Sequence, residues 1–102
     1  MNLYQENHDL LAICKLAPVI PILVVDDTTN AVPLTKALIA GGLRVIEVTL
    51  RTENAFDVLE VMAANTTEGI IGAGTLLSKE DVYAAKRAGA SFGVSPGVTD
   101  QI

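Results

Sequence analysis

The chain alternates between short apolar runs and longer segments in which apolar residues recur with helical spacing. The apolar runs are rich in β-branched residues and occupy Val19–Val25, Arg44–Leu50, Gly69–Leu76 and Phe92–Val98. Nearly continuous apolar character over the length of a strand is typical of parallel strands that are covered on both faces. The pattern therefore predicts about four parallel strands.

The segment after the first run has the signals of a helix with defined ends. Asp26–Thr29 offers side chains that cap a helix N-terminus, and Pro33 is expected in the first turn, where proline is tolerated. The pair Gly41–Gly42 is a typical helix end. We therefore expect a helix between the first two strands.

Three more helices follow from the same reasoning. One is expected to begin at Thr52, and another at Ser78, where the sequence Ser78–Asp81 is a close relative of the capping box, with Gly89 as its end. Glu6–Leu16 predicts an additional helix ahead of the first strand. The pattern thus predicts a single domain over residues 1–102, with strand-helix units from 19 to 98.

The predicted strands begin at residues 19, 44, 69 and 92, so one strand-helix unit takes about 25 residues. Eight such units would need about 200 residues, the lower end of the (β/α)₈ barrel range. The chain holds about three and a half units. It is expected to be either a small open α/β sheet or the first half of a TIM barrel with an extra N-terminal helix, and the pattern alone does not separate these two folds.

Composition narrows the class of protein. The 102 residues carry a net charge of −5 with no basic cluster, which argues against nucleic acid as a partner. The longest apolar stretch, Ala17–Val25, is far shorter than a membrane span of about 20 residues, and the first six residues do not resemble a signal peptide. Cys14 is the only cysteine, so no internal disulfide is possible and a cytoplasmic setting is expected.

The strand Arg44–Leu50 carries an acid in its middle, and this makes Glu47 the first candidate for chemistry. Alternation along a strand puts Val45, Glu47, Thr49 and Arg51 on one face. A carboxylate inside a packed sheet is costly unless it is paired or used. In α/β folds, sites form at the carboxyl ends of the strands, where Arg51 is expected to lie.

Two further strand ends contribute polar or glycine residues to the same edge. Gly72–Thr75 ends the third strand, where glycines permit close approach of a ligand or another backbone and Thr75 offers a hydroxyl. Ser95–Gly97 ends the fourth and is expected to line the opening. No group of His, Cys and Asp has the spacing of a metal site.

Each of these residues also has a purely structural interpretation. Glu47 can form a salt bridge with Arg51, or with Arg44 of a neighbouring chain. Arg51 can be an ordinary surface residue, and Thr75 a local cap. Tight packing of strand on helix explains the glycines of Gly72–Gly74 about as well as a ligand does. The coincidence of all these residues at corresponding strand ends favours a site.

Four segments in this order and spacing closely resemble the 2-keto-3-deoxy-6-phosphogluconate (KDPG)/4-hydroxy-2-oxoglutarate (KHG) aldolase family: Pro18–Val25, Ala40–Thr52, Ile71–Thr75 and Ser95–Gly97. The resemblance covers nearly the whole chain. It implies a (β/α)₈ barrel with an extra N-terminal helix, assembled as a trimer. It also implies a class I aldolase that releases pyruvate from a small 2-oxo acid, without metal or organic cofactor.

The resemblance assigns roles to individual residues. Glu47 matches the general acid/base of the family, Arg51 the residue that binds the pyruvate carboxylate, and Thr75 a second contact to that carboxylate. Pro96 lies in a segment that lines the pocket. A buried carboxylate is suited to move protons, and a guanidinium can hold a carboxylate by two parallel hydrogen bonds.

One part of the family site has no counterpart in this chain. A class I aldolase needs an amine nucleophile, which in the family is a lysine of the sixth strand. The four lysines here fall on predicted helices or at their ends: Lys15, Lys36, Lys79 and Lys86. We therefore expect the chain to be inactive alone and to self-associate through its open sheet edges, or to be a truncated part of a longer enzyme.

The sequence is also compatible with two other functions. A phosphosugar epimerase or decarboxylase on a similar barrel would favour an Asp/Lys pair at the strand ends, and the sequence has none there. A non-catalytic half-barrel that binds small oxo acids, or only associates with itself, is the third possibility.

Overall fold

The computed structural model describes residues 3–16 and 18–102. Its elements in chain order are α1 (Leu3–Lys15), β1 (Ile22–Leu23), α2 (Thr28–Ala40), β2 (Val45–Thr49), α3 (Ala55–Ala64), β3 (Ile70–Gly74) and α4 (Lys79–Ala88). The strands form a parallel sheet in the order β1-β2-β3, with β2 in the centre. In this part of the chain no helix is both long and apolar enough to cross a membrane.

The first strand is much shorter than the apolar run that predicted it. Only Ile22 and Leu23 pair with β2, opposite Glu47 and Val48. Pro21 precedes them and has no N–H to donate, although its carbonyl accepts a hydrogen bond from the Glu47 N–H at 3.0 Å. The predicted strand Val19–Val25 is therefore wrong in its extent, because proline limits the ladder on its N-terminal side.

The predicted fourth strand, Phe92–Val98, is reduced to a single parallel bridge between Ala73 and Gly93. The Val94 N–H donates to the Ala73 carbonyl at 2.9 Å and the Leu76 N–H to the Val94 carbonyl at 3.1 Å. Between these two hydrogen bonds, the backbone of Thr75 lies in the left-handed region with φ 61°, which interrupts the regular strand geometry after Gly74. The segment lies beside β3 as expected, but three paired strands are present among the described residues rather than four.

Helix ends follow local capping chemistry. The Asp27 carboxylate accepts a hydrogen bond from the Thr29 N–H at 2.8 Å and begins α2. Ser78 caps the N-terminus of α4, where its Oγ accepts a hydrogen bond from the Asp81 N–H at 3.1 Å. The cap at the other end of this helix is Gly89, with φ 105°. Because α2 begins at Thr28, Pro33 lies in its second turn and not in the first.

The third helix begins at Ala55, three residues later than predicted. The hydroxyl of Thr52 donates to the Val25 carbonyl at 3.3 Å, and Asn54 Nδ2 donates to the Asp26 carbonyl at 3.1 Å. These side chains join the loop after β2 to the loop after β1, so Thr52 does not act as a helix cap. The additional N-terminal helix is present as α1, Leu3–Lys15, against the expected 6–16.

All five residues of β2 are buried, and alternation divides them between two faces. Ile46 and Val48 belong to the hydrophobic core that the sheet shares with the helices, principally α3 through Leu59 and Met62. Their neighbours Val45, Glu47 and Thr49 therefore face away from the helices. This second face, which we call the inner face, carries the candidate site.

Candidate active site at the carboxyl edge of the sheet

Glu47 lies in the middle of β2 on the inner face, with only 7% of its surface exposed. Its carboxylate occupies the space directly above the backbone of Gly74 on the neighbouring strand, so that a β-carbon at position 74 would collide with Oε1. A glycine is thus required at this position for the carboxylate to lie where it does. The sequence suggested that the glycines admit a ligand, and here the group admitted is a side chain of the same chain.

The companion glycine, Gly72, has a similar role for a different side chain. The aromatic ring of Phe92 packs against it, and a β-carbon at position 72 would collide with that ring. Sequence reasoning did not identify Phe92 as part of the site. The available signal was the spacing Gly72–Gly74 in a strand that pairs with the strand of Glu47, since glycines in a strand leave room for large side chains of its neighbours.

Burial gives Glu47 the electrostatic character of a proton-transfer group. Desolvation raises the pKa of its carboxyl above the ordinary value of 4.5, and the positive charge of Arg51 opposes that rise in pKa. A tight salt bridge would have lowered the pKa instead. The net upward direction therefore disfavours the interpretation of Glu47 as one half of a structural ion pair with Arg51. Arg44 lies at the amino end of β2, where its Nε donates to the Glu68 carbonyl at 3.4 Å.

Arg51 lies in the turn that follows β2, and its side chain is exposed. It is close enough to Glu47 to act on that carboxylate through its charge. An exposed guanidinium beside a buried carboxyl can bind an anionic group at the mouth of the site without ending that interaction.

Thr75 follows β3 directly. Among the described residues it is the one non-glycine residue with a positive φ, at 61°. A β-branched side chain is rarely found in this backbone region and costs free energy there. Such strain concentrates at functional sites. Thr75 is half-buried, so its side chain remains partly open to the carboxyl edge.

Pro96 is exposed in a turn whose conformation is fixed by Ser95. Ser95 Oγ donates toward the Leu76 carbonyl at 2.8 Å and lies 2.6 Å from the Gly97 carbonyl. The hydroxyl of Ser95 is therefore used to hold the turn against the end of β3. The structure thus brings Glu47 and Arg51 into electrostatic contact and puts Thr75 and Pro96 on segments that leave the same edge.

The four lysines are all exposed and all lie on the helices: Lys15, Lys36, Lys79 and Lys86. None lies on the inner face of the sheet among the residues described. Within the described part of the chain, the site thus consists of an acid with an adjoining cation and has no lysine amine nearby.

Parallel strands in the order β1-β2-β3, each followed by a helix, are the repeating unit of a (β/α)₈ barrel, and the acid and the cation lie at the edge where such folds form their sites. The family model for KDPG and KHG aldolase matches residues 10–102. The chain belongs to this family. A 2-dehydro-3-deoxy-phosphogluconate aldolase of Pseudoalteromonas atlantica is 52% identical over 85 residues, which is 83% of this chain and 40% of that protein.

Solved structures give the same result. The 2-keto-3-deoxy-6-phosphogluconate aldolase of Zymomonas mobilis ZM4 with 3-phosphoglycerate superposes with a TM-score of 0.85 at 43% identity, over 90% of this chain and 44% of that one. The KDPG aldolase from Legionella pneumophila, with pyruvate captured as a covalent carbinolamine, has a TM-score of 0.84 at 41% identity, over 88% and 44%. The chain spans less than half the length of these relatives.

Proposed function

We propose that these residues form the proton-transfer and carboxylate-binding part of a class I aldolase. The reaction is cleavage of 2-keto-3-deoxy-6-phosphogluconate to pyruvate and glyceraldehyde 3-phosphate, of 4-hydroxy-2-oxoglutarate to pyruvate and glyoxylate, or both. The observation that carries the proposal is the buried carboxylate of Glu47, held over Gly74 with a raised pKa. A carboxyl whose pKa is raised toward the working pH is suited to act both as an acid and as a base.

In this proposal Glu47 exchanges protons with the oxygen at C2 of the substrate while the carbinolamine forms and loses water. It then accepts the proton of the C4 hydroxyl as the C3–C4 bond breaks. Arg51 binds the substrate carboxylate, for which its exposed guanidinium is the right partner. Thr75 contributes its hydroxyl to the same carboxylate, and Pro96 lines the pocket. The strained backbone of Thr75 supports a functional role for that position.

The covalent step requires an amine from elsewhere. A carbinolamine, such as the one captured in the Legionella relative, arises when an amine adds to a ketone carbon. The lysines of this chain are exposed on helices and lie away from the inner face. We therefore propose that the nucleophile comes from polypeptide other than residues 1–102, and that these residues alone do not catalyse the reaction.

Reductive trapping tests this division of the site. Incubation of the 102-residue chain with pyruvate and borohydride should give no stoichiometric adduct by intact-mass measurement, whereas the Legionella relative, treated in parallel, should give one. A stable adduct on any of the four lysines would contradict the proposal.

Calorimetric titration with pyruvate tests the carboxylate-binding half separately. The chain should bind pyruvate, and an Arg51→Ala variant should bind it at least about tenfold more weakly, because a charge-assisted hydrogen bond contributes roughly 1.5–3 kcal/mol. Arg87→Ala, at an exposed position on α4, is the matched control for loss of one positive charge. Equal binding by the Arg51 and Arg87 variants would remove Arg51 from the site.

A second candidate function is a non-catalytic half-barrel that binds oxo acids or only associates with itself. It is favoured by apolar exposure on the inner face, where Ile22 is 61% and Val24 is 59% exposed. An inert scaffold would show no heat with pyruvate in the titration above.

We propose that the complete enzyme is a trimer and that it is cytoplasmic. The free, exposed thiol of Cys14 is consistent with a reducing compartment.

A further inference from the structure

The hydroxyl of Thr49, the last residue of β2, has no hydrogen-bond partner although it is fully buried. The residue is 1% exposed. Among the described residues, its Oγ1 is the one buried side-chain polar atom that has no hydrogen-bond partner. Thr35 is just as buried, yet its Oγ1 donates to the Ala31 carbonyl at 2.8 Å. Thr49 is therefore an exception even within this chain.

An unpaired buried hydroxyl weakens the folded state, because the group loses its hydrogen bonds to water and gains nothing in return. A valine would fill nearly the same volume and suit a strand equally well. Packing and strand propensity thus do not account for a threonine at this position. The hydroxyl gains a use only if a hydrogen-bond acceptor or donor moves to it.

Glu47 is the other buried polar residue of β2, and its carboxylate lies on the same inner face. Thr49 lies two residues after Glu47 and projects from the same face of β2. In the register of the sheet Thr49 is opposite Gly74, and the space above Gly74 is the one that the Glu47 carboxylate occupies. The hydroxyl and the carboxylate both belong to β2. They therefore border the same glycine of β3, the adjacent strand, which is about 4.8 Å away.

We infer that Thr49 is a positioning residue for Glu47: its hydroxyl donates a hydrogen bond to the Glu47 carboxylate when that group is ionised, and releases it when the carboxyl is protonated. Rotation of the glutamate side chain brings the two groups together, and Gly74 has no side chain to obstruct that rotation. The acid would thereby gain two defined positions, one for each protonation state.

The other groups around Glu47 do not provide a neutral hydrogen-bond donor. Ile22, its partner on β1, is apolar, and Gly72, its partner on β3, has no side chain. Arg51 is the charged group that acts on the carboxylate, and it does so from an exposed position. Thr49 is the remaining neutral donor on the same strand face. The inference rests on the proposed role of Glu47 in proton transfer, but its central measurement needs no catalysis.

The test is an NMR titration of the Glu47 side-chain carboxyl carbon in the 102-residue chain. In Thr49→Val the pKa of Glu47 should rise by about one unit relative to the natural chain, because the ionised form loses a hydrogen bond. Thr49→Ser should restore the natural pKa. An unchanged pKa in Thr49→Val would overturn the inference. If the valine variant does not fold, Thr49→Ala against Thr49→Ser gives the same comparison, since these two differ only by the hydroxyl.

Thermal unfolding provides the control. Near pH 4, where the Glu47 carboxyl is largely protonated, Thr49→Val should unfold at the same or a higher temperature than the natural chain, since it removes an unpaired hydroxyl. Thr35→Val removes a paired hydroxyl, so it should unfold at a lower temperature and leave the pKa of Glu47 unchanged. A shifted pKa in Thr49→Val together with absent pyruvate binding would reject the proposed function and retain this inference. Pyruvate binding together with an unchanged pKa of Glu47 in Thr49→Val would reject this inference and retain the proposed function.

Discussion

At the scale of single residues, the buried carboxylate of Glu47 makes stability depend on pH in an unusual direction. Most carboxylates that interact in a folded protein have a lowered pKa, and they stabilise the fold above that pKa. The pKa of Glu47 is raised by burial. Below about pH 4 the group is protonated in both states and contributes nothing. As the pH rises through 4.5 the unfolded chain ionises first, so unfolding becomes easier, and the full penalty is present above the raised pKa.

Glu47→Gln should remove this penalty. We expect the free energy of unfolding of the variant to exceed that of the natural chain at pH 7 to 8, and the difference to vanish near pH 4. At about 1.4 kcal/mol per pKa unit, the gain at neutral pH measures the shift directly. Urea unfolding across this pH range is the measurement. Glu60→Gln, at an exposed position of α3, controls for loss of one negative charge, and a difference equal to that control would contradict the buried carboxylate.

At the scale of elements, the glycines of β3 divide the inner face between an acid and an aromatic ring. Gly74 leaves room for the Glu47 carboxylate, and Gly72 leaves room for Phe92. The two positions lie on the same strand, face the same way and are both buried. They therefore form a matched pair that separates disturbance of the strand from disturbance of the acid.

Gly74→Ala should push the Glu47 carboxylate out of its buried position toward solvent. The pKa of Glu47 should then fall toward its ordinary value, because desolvation is what raises it. Gly72→Ala should displace Phe92 and leave the pKa of Glu47 raised. Both variants should lose roughly 1–3 kcal/mol of stability through overpacking. NMR titration of the glutamate carboxyl carbon distinguishes them, and an equal pKa in the two variants would show that Gly74 does not hold the acid in place.

The elements also show what sequence reasoning can reach. The central strand, the caps at Asp27 and Ser78 and the stop at Gly89 were predictable, because each depends on local chemistry that the sequence states directly. The lengths of the outer strands were not. The length of β1 depends on how its backbone meets β2, and the bridge at Gly93 depends on pairing with Ala73, which is 20 positions away in the sequence.

The site followed the same rule. Glu47 was identifiable because an acid in an apolar strand is conspicuous in the sequence. Its electrostatic contact with Arg51 was expected from a shared strand face, although the structure puts Arg51 in the turn after β2. The packing of Phe92 against Gly72 joins residues 20 positions apart and depends on the register between segments. The unpaired hydroxyl of Thr49 is a property of its surroundings, so no pattern in the sequence indicates it.

At the scale of the whole molecule, the two faces of the sheet differ sharply. Helices cover the outer face and bury its apolar residues, whereas the inner face exposes Ile22 at 61%, Val24 at 59% and Val94 at 42%. Exposed apolar side chains next to a short edge strand favour association with another surface. The relatives are more than twice as long as the chain, so in them additional polypeptide is available to cover the corresponding face.

Ile22→Lys should therefore weaken self-association of the 102-residue chain while leaving its fold intact. We expect the natural chain to sediment as a dimer or larger assembly, because association removes the apolar inner face from water. A lysine at this exposed position keeps its charge in solvent when the chain is alone, but must lose that hydration in the assembly. The dissociation constant should rise at least about tenfold, or about 1.4 kcal/mol. Val98→Lys, at a 90% exposed apolar position that lines a cavity with Leu76 and Val82, is the control and should sediment like the natural chain. A natural chain that remains monomeric at every concentration would show that the inner face tolerates water, and the same result for both lysine variants would show that association uses a different surface.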